Sequence, residues 1–270
     1  MSAEDGHTPS ERASDERTPD ERSRVEYLLR LGDSDLVLGQ RLIAWIGHAP
    51  VLEEELAIGN VALDLIGQAR LWLSYAGERE GAGRDEDALA YFRQAHEFRN
   101  VLLAERPNDD FAVTMTRQFF YDVWHLELLR ALSGSNDARS AGIAAKGARE
   151  VSYHVERSRE WVVRLGDGTA ESNRRMRRAV ELLWPYTGEL FAPDAVDEAG
   201  VRAGWGCDPA ALRAPWLTAV EDALTEATID VPPADGWMQS GGKSGRHSED
   251  LSYLLAEMQS VRRSVPGATW

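Results

Sequence analysis

The segment LRLGDSDLVLGQRLIAWIGHAP, residues 29–50, contains two helical patterns with a candidate break between them. The apolar residues that lead into the segment are spaced for a short amphipathic helix, which Gly32 is expected to end. Asp33 or Ser34 can then cap a second helix that stops before Pro50, since these residue types favour helix N-termini. The segment therefore predicts two consecutive helices.

Apolar residues spaced by three and four continue through most of the remaining chain, which is typical of helices packed on one face. This spacing predicts helices over 51–78, 86–98, 109–132, 138–165, 170–191 with an interruption near Pro185, 208–226 and 248–263. No convincing alternation of apolar and polar residues indicates a strand. We therefore expect an all-α protein whose residues 23–270 form a single domain, a long-helix bundle with additional C-terminal helices.

Residues 1–22, MSAEDGHTPSERASDERTPDER, differ in composition from the rest of the chain. They contain seven acidic residues, three arginines and almost nothing apolar. Such a segment buries too little surface to offset the entropy lost on ordering. We expect a disordered acidic tail.

The overall composition excludes several classes of protein. Of the 270 residues only Cys207 is a cysteine, so an internal disulfide, a cysteine-based zinc site and an iron–sulfur cluster are excluded. The net charge of −15 argues against a general nucleic-acid-binding protein. Neither a membrane-spanning apolar run nor a secretion signal is found. A cytoplasmic protein is the expectation.

A long-helix bundle raises the hypothesis of a carboxylate-bridged di-iron site, because such bundles hold iron with Glu and Glu-x-x-His ligands. Asp122 and His125 are three residues apart on one predicted helix, and Glu150 and His154 are four apart on the next. We interpret these side chains as a buried polar network whose members bond one another. The alternative is a self-sufficient di-iron oxidase or iron-binding protein that uses all four as ligands.

The positions where two Glu-x-x-His motifs might stand are Leu65-x-x-Gln68 and Val151-x-x-His154. Leu and Val cannot ligate a metal, and a Gln amide is a poor substitute for imidazole at iron. The sequence therefore predicts neither a metal site nor a catalytic residue in this chain.

The segment SGGKSGRH, residues 240–247, combines glycines with Lys243, Arg246 and His247 ahead of a predicted helix. A glycine-rich basic loop at a helix N-terminus can bind a phosphate or carboxylate, so this loop is a candidate contact for an anion, for coenzyme A or for a partner. The simpler interpretation is a turn and helix cap.

Several stretches together resemble the C-type subunit of bacterial phenylacetyl-CoA epoxidases, and the similarity covers nearly everything after residue 23. These stretches are LRLGDSDLVLGQRLIAWIGHAP (29–50), LDLIGQAR (63–70), DVWH (122–125), REVSYHVERSREWVVRLGDGT (149–169) and GGKSGRH…LLAEMQ…PGATW (241–270). The opening and closing stretches are specific to this family and are not generic bundle sequence.

The resemblance implies a ferritin-like fold and a non-catalytic structural subunit of the multicomponent monooxygenase of aerobic phenylacetate catabolism. It implies that a catalytic A-type partner carries the di-iron centre and binds the acyl-CoA, and that a reductase subunit supplies electrons through NADPH, flavin and iron–sulfur groups. It also implies that the catalytic relative's Glu-x-x-His motifs correspond to Leu65/Gln68 and Val151/His154. This chain is then expected to hold no cofactor and to be inactive alone.

Overall fold

The computed structural model describes residues 17–233, 236–265 and 267–268, and over these residues it contains helices and no strand. The all-α prediction is confirmed. The α-helices are α1 Pro19–Ile43, α2 Leu52–Glu80, α3 Glu86–Tyr91, α4 Leu102–Glu105, α5 Phe111–Leu132, α6 Ala138–Gly166, α7 Ala170–Leu183, α8 Ala195–Ala203, α9 Arg213–Glu226, α10 Glu249–Met258 and α11 Ser260–Ser264. Among the described residues, none of these helices is long and apolar enough to cross a membrane.

Four long helices form the bundle. Helices α1 and α2 pack together as an antiparallel pair, and α5 and α6 form a second pair. Helix α2 also packs against α6, and ion pairs such as Glu54–Arg157 and Glu78–Arg139 show that these two helices run in opposite directions. Helices α7 and α9 cover α5 and α6, and α8 and α10 lie against α1. The predicted bundle with additional C-terminal helices is thus observed.

Helix α1 is continuous through Gly32, so the predicted break at this residue is wrong. A Cβ atom at Gly32 would lie 2.7 Å from Cγ of Leu73, which shows how closely α1 approaches α2 here. Tertiary packing therefore overrides the weak helix propensity of glycine. Asp33 and Ser34 are buried within the helix and cap nothing; the Ser34 hydroxyl donates to the carbonyl of Arg30.

Most of the other predicted helices are confirmed, and the differences are short segments. The predicted helix 86–98 ends at Tyr91 and is followed by a 3₁₀ turn at Ala95–Glu97. The interruption near Pro185 is a 3₁₀ turn, Trp184–Tyr186. The prediction missed helices α4 and α8, which are too short to show a clear apolar period.

The N-terminal end of α1 begins inside the segment that was predicted as a tail. Pro19 occupies the first turn, and the Thr18 side chain accepts a hydrogen bond of 3.2 Å from the backbone N–H of Glu21. A Thr cap followed by Pro is a favourable helix start. Residues 1–16 of the predicted tail lie outside the described residues, so disorder there stays a prediction.

A buried ion pair attaches the segment after α3 to α1. The Arg93 guanidinium binds the Asp33 carboxylate through both of its terminal nitrogens, and the Arg99 backbone N–H donates to Asp33 Oδ2 at 2.8 Å. The side chains of Asp33 and Arg93 are 0% and 2% exposed. Removing one partner from such a pair leaves the other charge buried and uncompensated.

We predict that Asp33→Ala destabilises the protein by about 3–5 kcal/mol, the usual cost of breaking a buried ion pair. Chemical denaturation followed by circular dichroism measures this loss. Glu160→Ala is the matched control, because Glu160 and Arg164 form an exposed pair on α6. Exposed pairs contribute at most about 1 kcal/mol. Equal losses in the two variants would contradict the assignment.

Candidate functional site

The four positions that the resemblance aligns with catalytic motifs lie in the bundle interior. Leu65 and Val151 are both 0% exposed and belong to the hydrophobic core. Gln68 is also buried, and its amide nitrogen donates to Glu150 Oε2 at 3.0 Å. His154 is buried and donates from Nε2 to Asp64 Oδ2 at 3.0 Å. Both polar side chains therefore bridge α2 and α6.

Both carboxylate oxygens of Asp122 accept hydrogen bonds, one from a donor in α5 and one from a donor in α6. Its Oδ1 accepts from the Gln118 amide at 2.6 Å, and its Oδ2 accepts from the Ser158 hydroxyl at 2.8 Å. Burial raises the pKa of Asp122 to about 6, although His154 and these two hydrogen bonds favour the ionised carboxylate. Both carboxylate oxygens are thus engaged by neutral protein donors.

His125 lies beside a carboxyl group that the sequence interpretation did not include. Its Nε2 is 3.4 Å from Asp35 Oδ1, which also accepts a 2.8 Å hydrogen bond from the Tyr121 hydroxyl. Burial, with a smaller contribution from His154, lowers the pKa of His125 to about 3. Burial also raises the pKa of Asp35 well above its ordinary value. Burial therefore disfavours the charged form of both groups.

The four residues of the expected polar network do not bond one another. Glu150 binds Gln68 and Lys146, while Asp122, His125 and His154 each have partners outside the set, as given above. His154 bonds neither Asp122 nor His125, and its side-chain partner is Asp64. The partners that the sequence interpretation missed are Gln118, Asp35, Asp64 and Ser158. Asp35 and Asp64 both lie in predicted helices. Their spacing from the histidines along the sequence did not indicate that these side chains are in contact.

The arrangement of these side chains does not fit a di-iron centre. Within the described ranges, no three His, Cys, Asp or Glu side chains converge so that they could hold a metal ion. A di-iron site needs several carboxylates that point at one another across the bundle. Here Leu65 and Val151 fill two of the positions, and the remaining carboxylates are directed to protein donors.

The loop at residues 241–247 does bind an anion, and that anion is the protein's own Glu189. The backbone N–H groups of Gly241 and Lys243 donate to Glu189 Oε1 at 2.8 and 3.3 Å, and that of Leu102 donates to Oε2 at 2.8 Å. Glu189 is 2% exposed. The loop therefore presents its donors inward, toward α4 and the 3₁₀ turn at 188–191.

Two of the three basic side chains of this loop bind other groups of the protein. Lys243 Nζ donates to Asp197 Oδ2 at 2.9 Å and to the Ala192 carbonyl at 2.7 Å. His247 bonds through Nδ1 to Glu105 Oε2 at 2.7 Å and through Nε2 to the Phe98 carbonyl at 2.9 Å. Of the three basic residues, only Arg246 is exposed. The geometry supports the simpler interpretation of a structural turn for Lys243 and His247.

His247 and Glu105 form a buried ion pair that closes the C-terminal segment onto the bundle. Burial favours the neutral imidazole, but the hydrogen bond and charge of Glu105 outweigh it and raise the pKa of His247 above 6.5. Burial would likewise raise the pKa of Glu105, but His247, Ser248 and Asn100 outweigh it and lower that pKa below 4.5. Both groups are therefore charged at pH 6.

We predict that His247→Gln costs about 1.5–3 kcal/mol at pH 6, the contribution of a hydrogen bond between charged groups. A raised histidine pKa contributes stability that is complete below pH 6.5 and is lost as the pH rises through the folded-state pKa. The difference between wild type and variant should thus shrink by pH 9. It should also shrink in acid, as the pH falls from 4.5 through the lowered pKa of Glu105.

Denaturation curves at pH 6 and pH 9 measure this difference. The exposed His96 offers a matched control, and His96→Gln should change the free energy of unfolding little at either pH. If wild type and His247→Gln differ by the same free energy of unfolding at pH 6 and pH 9, the charges of the ion pair do not contribute to stability.

Comparison with known proteins agrees with this geometry. The profile of a family described as phenylacetic acid catabolic protein matches residues 3–270. The C-type subunit of 1,2-phenylacetyl-CoA epoxidase from Escherichia coli (strain K12) is 48% identical over 244 residues, which are 90% of this chain and 98% of that protein. The family is ferritin-like, as the helical bundle is. The chain belongs to the phenylacetic acid catabolic protein family.

Proposed function

We propose that this chain is a non-catalytic structural subunit of a phenylacetyl-CoA epoxidase complex, in which it pairs with and supports the di-iron A-type subunit. The observation that carries the proposal is the burial of Leu65 and Val151 in the apolar core, where a catalytic relative would need carboxylates. The similarity to a protein named as a subunit of this epoxidase supports the assignment to such a complex.

The interior of the bundle is built for stability without a metal. Carboxylates that face iron are charged and need the metal to compensate them. In this chain Leu65 and Val151 contribute apolar packing, while burial lowers the pKa of His125 to about 3 and raises the pKa of Asp35. The buried Asp122 carboxylate accepts hydrogen bonds from Gln118 and Ser158 and needs no bound cation to satisfy its oxygens.

A subunit of this kind supports catalysis by packing against the catalytic subunit. The helices that hold a di-iron centre must place each ligand accurately, and a displacement of about 1 Å can reduce the rate about 100-fold. A homologous bundle packed against the catalytic subunit restricts the movement of its helices. In this proposal NADPH, flavin and iron–sulfur groups belong to the reductase subunit, and Arg246 is the remaining candidate in its loop for an indirect acyl-CoA contact.

The alternative of a self-sufficient di-iron oxidase is less well supported. It requires Asp122, His125, Glu150 and His154 to share two metal ions. The carboxylate of Glu150 instead binds Gln68 and Lys146, and it is 24% exposed. Asp122 has both oxygens occupied by Gln118 and Ser158.

The iron content of the purified protein distinguishes the two functions. After iron loading, we expect no bound iron in the isolated chain and about two irons per heterodimer after co-expression with the A-type subunit. Plasma emission spectrometry measures both values. Two irons in the isolated chain would overturn the proposal in favour of the self-sufficient oxidase.

We further predict that His154→Ala reduces the stability of this chain by about 1–3 kcal/mol, because it removes a buried hydrogen-bonding group. The iron content of the complex should remain unchanged, since His154 is not expected to be a ligand. Denaturation of the chain and metal analysis of the complex test the two statements. His96→Ala is the exposed control, and a parallel loss of iron in His154→Ala would contradict the structural role.

A further inference from the structure

The C-terminal helices bind the end of α3 through polar side chains. The Gln259 amide donates to the carbonyls of Ala90 and Arg93 at 2.9 and 3.1 Å. The Arg263 guanidinium donates to the carbonyls of Tyr91 and Arg93 at 2.8 and 2.9 Å. Carbonyls at the end of a helix have no partner within it, so these side chains complete the end of α3.

A groove that is open to solvent lies beside these contacts, between α3 and the turn from α10 to α11. Its volume is about 350 Å³, and it is lined by Asp87, Tyr91, Met258, Val261 and Arg262, which we call the groove residues. Three of the five are apolar or aromatic, and Val261 is 59% exposed. Pockets of about 300–1,000 Å³ hold drug-sized ligands, so a single aromatic side chain fits this groove.

One wall of the groove contains a polar atom that lacks a partner. The Nε atom of Arg262 is buried, and no group in the described part of the chain accepts a hydrogen bond from it. Buried donors in folded proteins are normally paired. The Nε atom therefore indicates that a further group with an acceptor lies at this wall.

The chain itself supplies a segment that reaches the groove. The Nη1 atom of Arg262 donates to the Ala268 carbonyl at 2.5 Å, so residue 268 lies against the groove wall. Thr269 and Trp270 follow, and both lie outside the described residues. Two residues extend the chain by at most about 7 Å. The Trp270 side chain is therefore attached within reach of the groove.

We propose that the Trp270 side chain occupies this groove and fastens the C-terminal segment to α3. Tyr91, Met258 and Val261 supply the apolar contacts that a large aromatic side chain needs, and a methionine sulfur beside an aromatic ring is favourable. The closing stretch of the sequence, PGATW, which the proposed function does not use, then has a structural role.

The Arg262 side chain completes the contact. Its guanidinium stacks on the indole, the aromatic ring that binds cations best, and a main-chain carbonyl of residues 269–270 supplies the acceptor for Nε. A Trp270 side chain held in this way keeps α11 against the end of α3. It thereby supports the segment that carries Arg93, the buried partner of Asp33.

The first test is the fluorescence of Trp270 in the full chain, taken as the difference between the spectra of wild type and Trp270→Ala. An indole in an apolar groove emits at a shorter wavelength than an indole in water. Trp237 is 73% exposed, so Trp237→Ala gives the matched control spectrum. We expect the Trp270 difference spectrum to lie at a shorter wavelength than that of Trp237. Equal positions would overturn the proposal.

A double-mutant cycle tests the contact between Trp270 and the groove. We expect Trp270→Ala to raise the equilibrium constant for unfolding about 5- to 30-fold, because it removes a large apolar contact. Val261→Ala should have an effect at least about 2-fold smaller when Trp270 is already replaced, since residues in contact are coupled. Additive effects would overturn the proposal, whereas Val261→Ala and Trp237→Ala should be additive as the control pair.

Other occupants of the groove give other results. If the Trp270 emission moves to a longer wavelength as a dimer of this chain dissociates on dilution, the groove holds Trp270 of a second copy and the proposal is overturned. If Trp270 emits as Trp237 does in the isolated chain and shifts only when another subunit is added, the groove belongs to an interface, which also overturns it.

The proposal stays testable if Trp270→Ala does not fold. Trp270→Phe keeps an aromatic ring for the groove but removes the indole fluorescence, so its difference from wild type gives the same Trp270 spectrum. An emission position equal to that of Trp237 would again overturn the proposal.

Discussion

The packing of the bundle around α1 rests on the buried ion pair between Asp33 and Arg93. Helix α1 is buried on all sides over residues 27–39, so every polar group in its middle must find a partner inside the protein. Asp33 is compensated by Arg93, and Asp35, whose pKa is raised by burial, accepts a hydrogen bond from Tyr121 and lies beside His125. The central position of α1 is therefore possible only because its buried carboxyl groups have partners inside the protein.

Buried carboxylates also join the later parts of the chain to α4. The Glu105 carboxylate accepts hydrogen bonds from His247, Asn100 and the Ser248 backbone. The Glu189 carboxylate accepts three from backbone N–H groups. In a metal-binding bundle, interior carboxylates are directed at metal ions. In this chain they are directed at donors from loops and termini, and they stabilise the fold.

Helix α2 connects the interior of the bundle with its surface. Its inner face carries the buried Leu65 and Gln68, which the resemblance aligns with motif positions of a catalytic relative, and its outer face exposes Leu52, Leu56 and Leu63. Leucine cannot ligate a metal, and exposed leucines can pack against another protein. Both features are consistent with a chain whose contribution to a complex is packing.

The helical class, most of the long helices and the chemical types at the motif positions could be predicted from the sequence, because apolar periodicity and ligand chemistry are local properties. The place of Gly32 within a helix could not, since its cost is offset by the close approach of Leu73 in the folded bundle. The inward orientation of Lys243 and His247 also depends on the fold, because Asp197 and Glu105 are 46 and 142 residues away in the sequence. The packing of distant helices determines the partner of a buried polar group, so a local sequence pattern does not identify it.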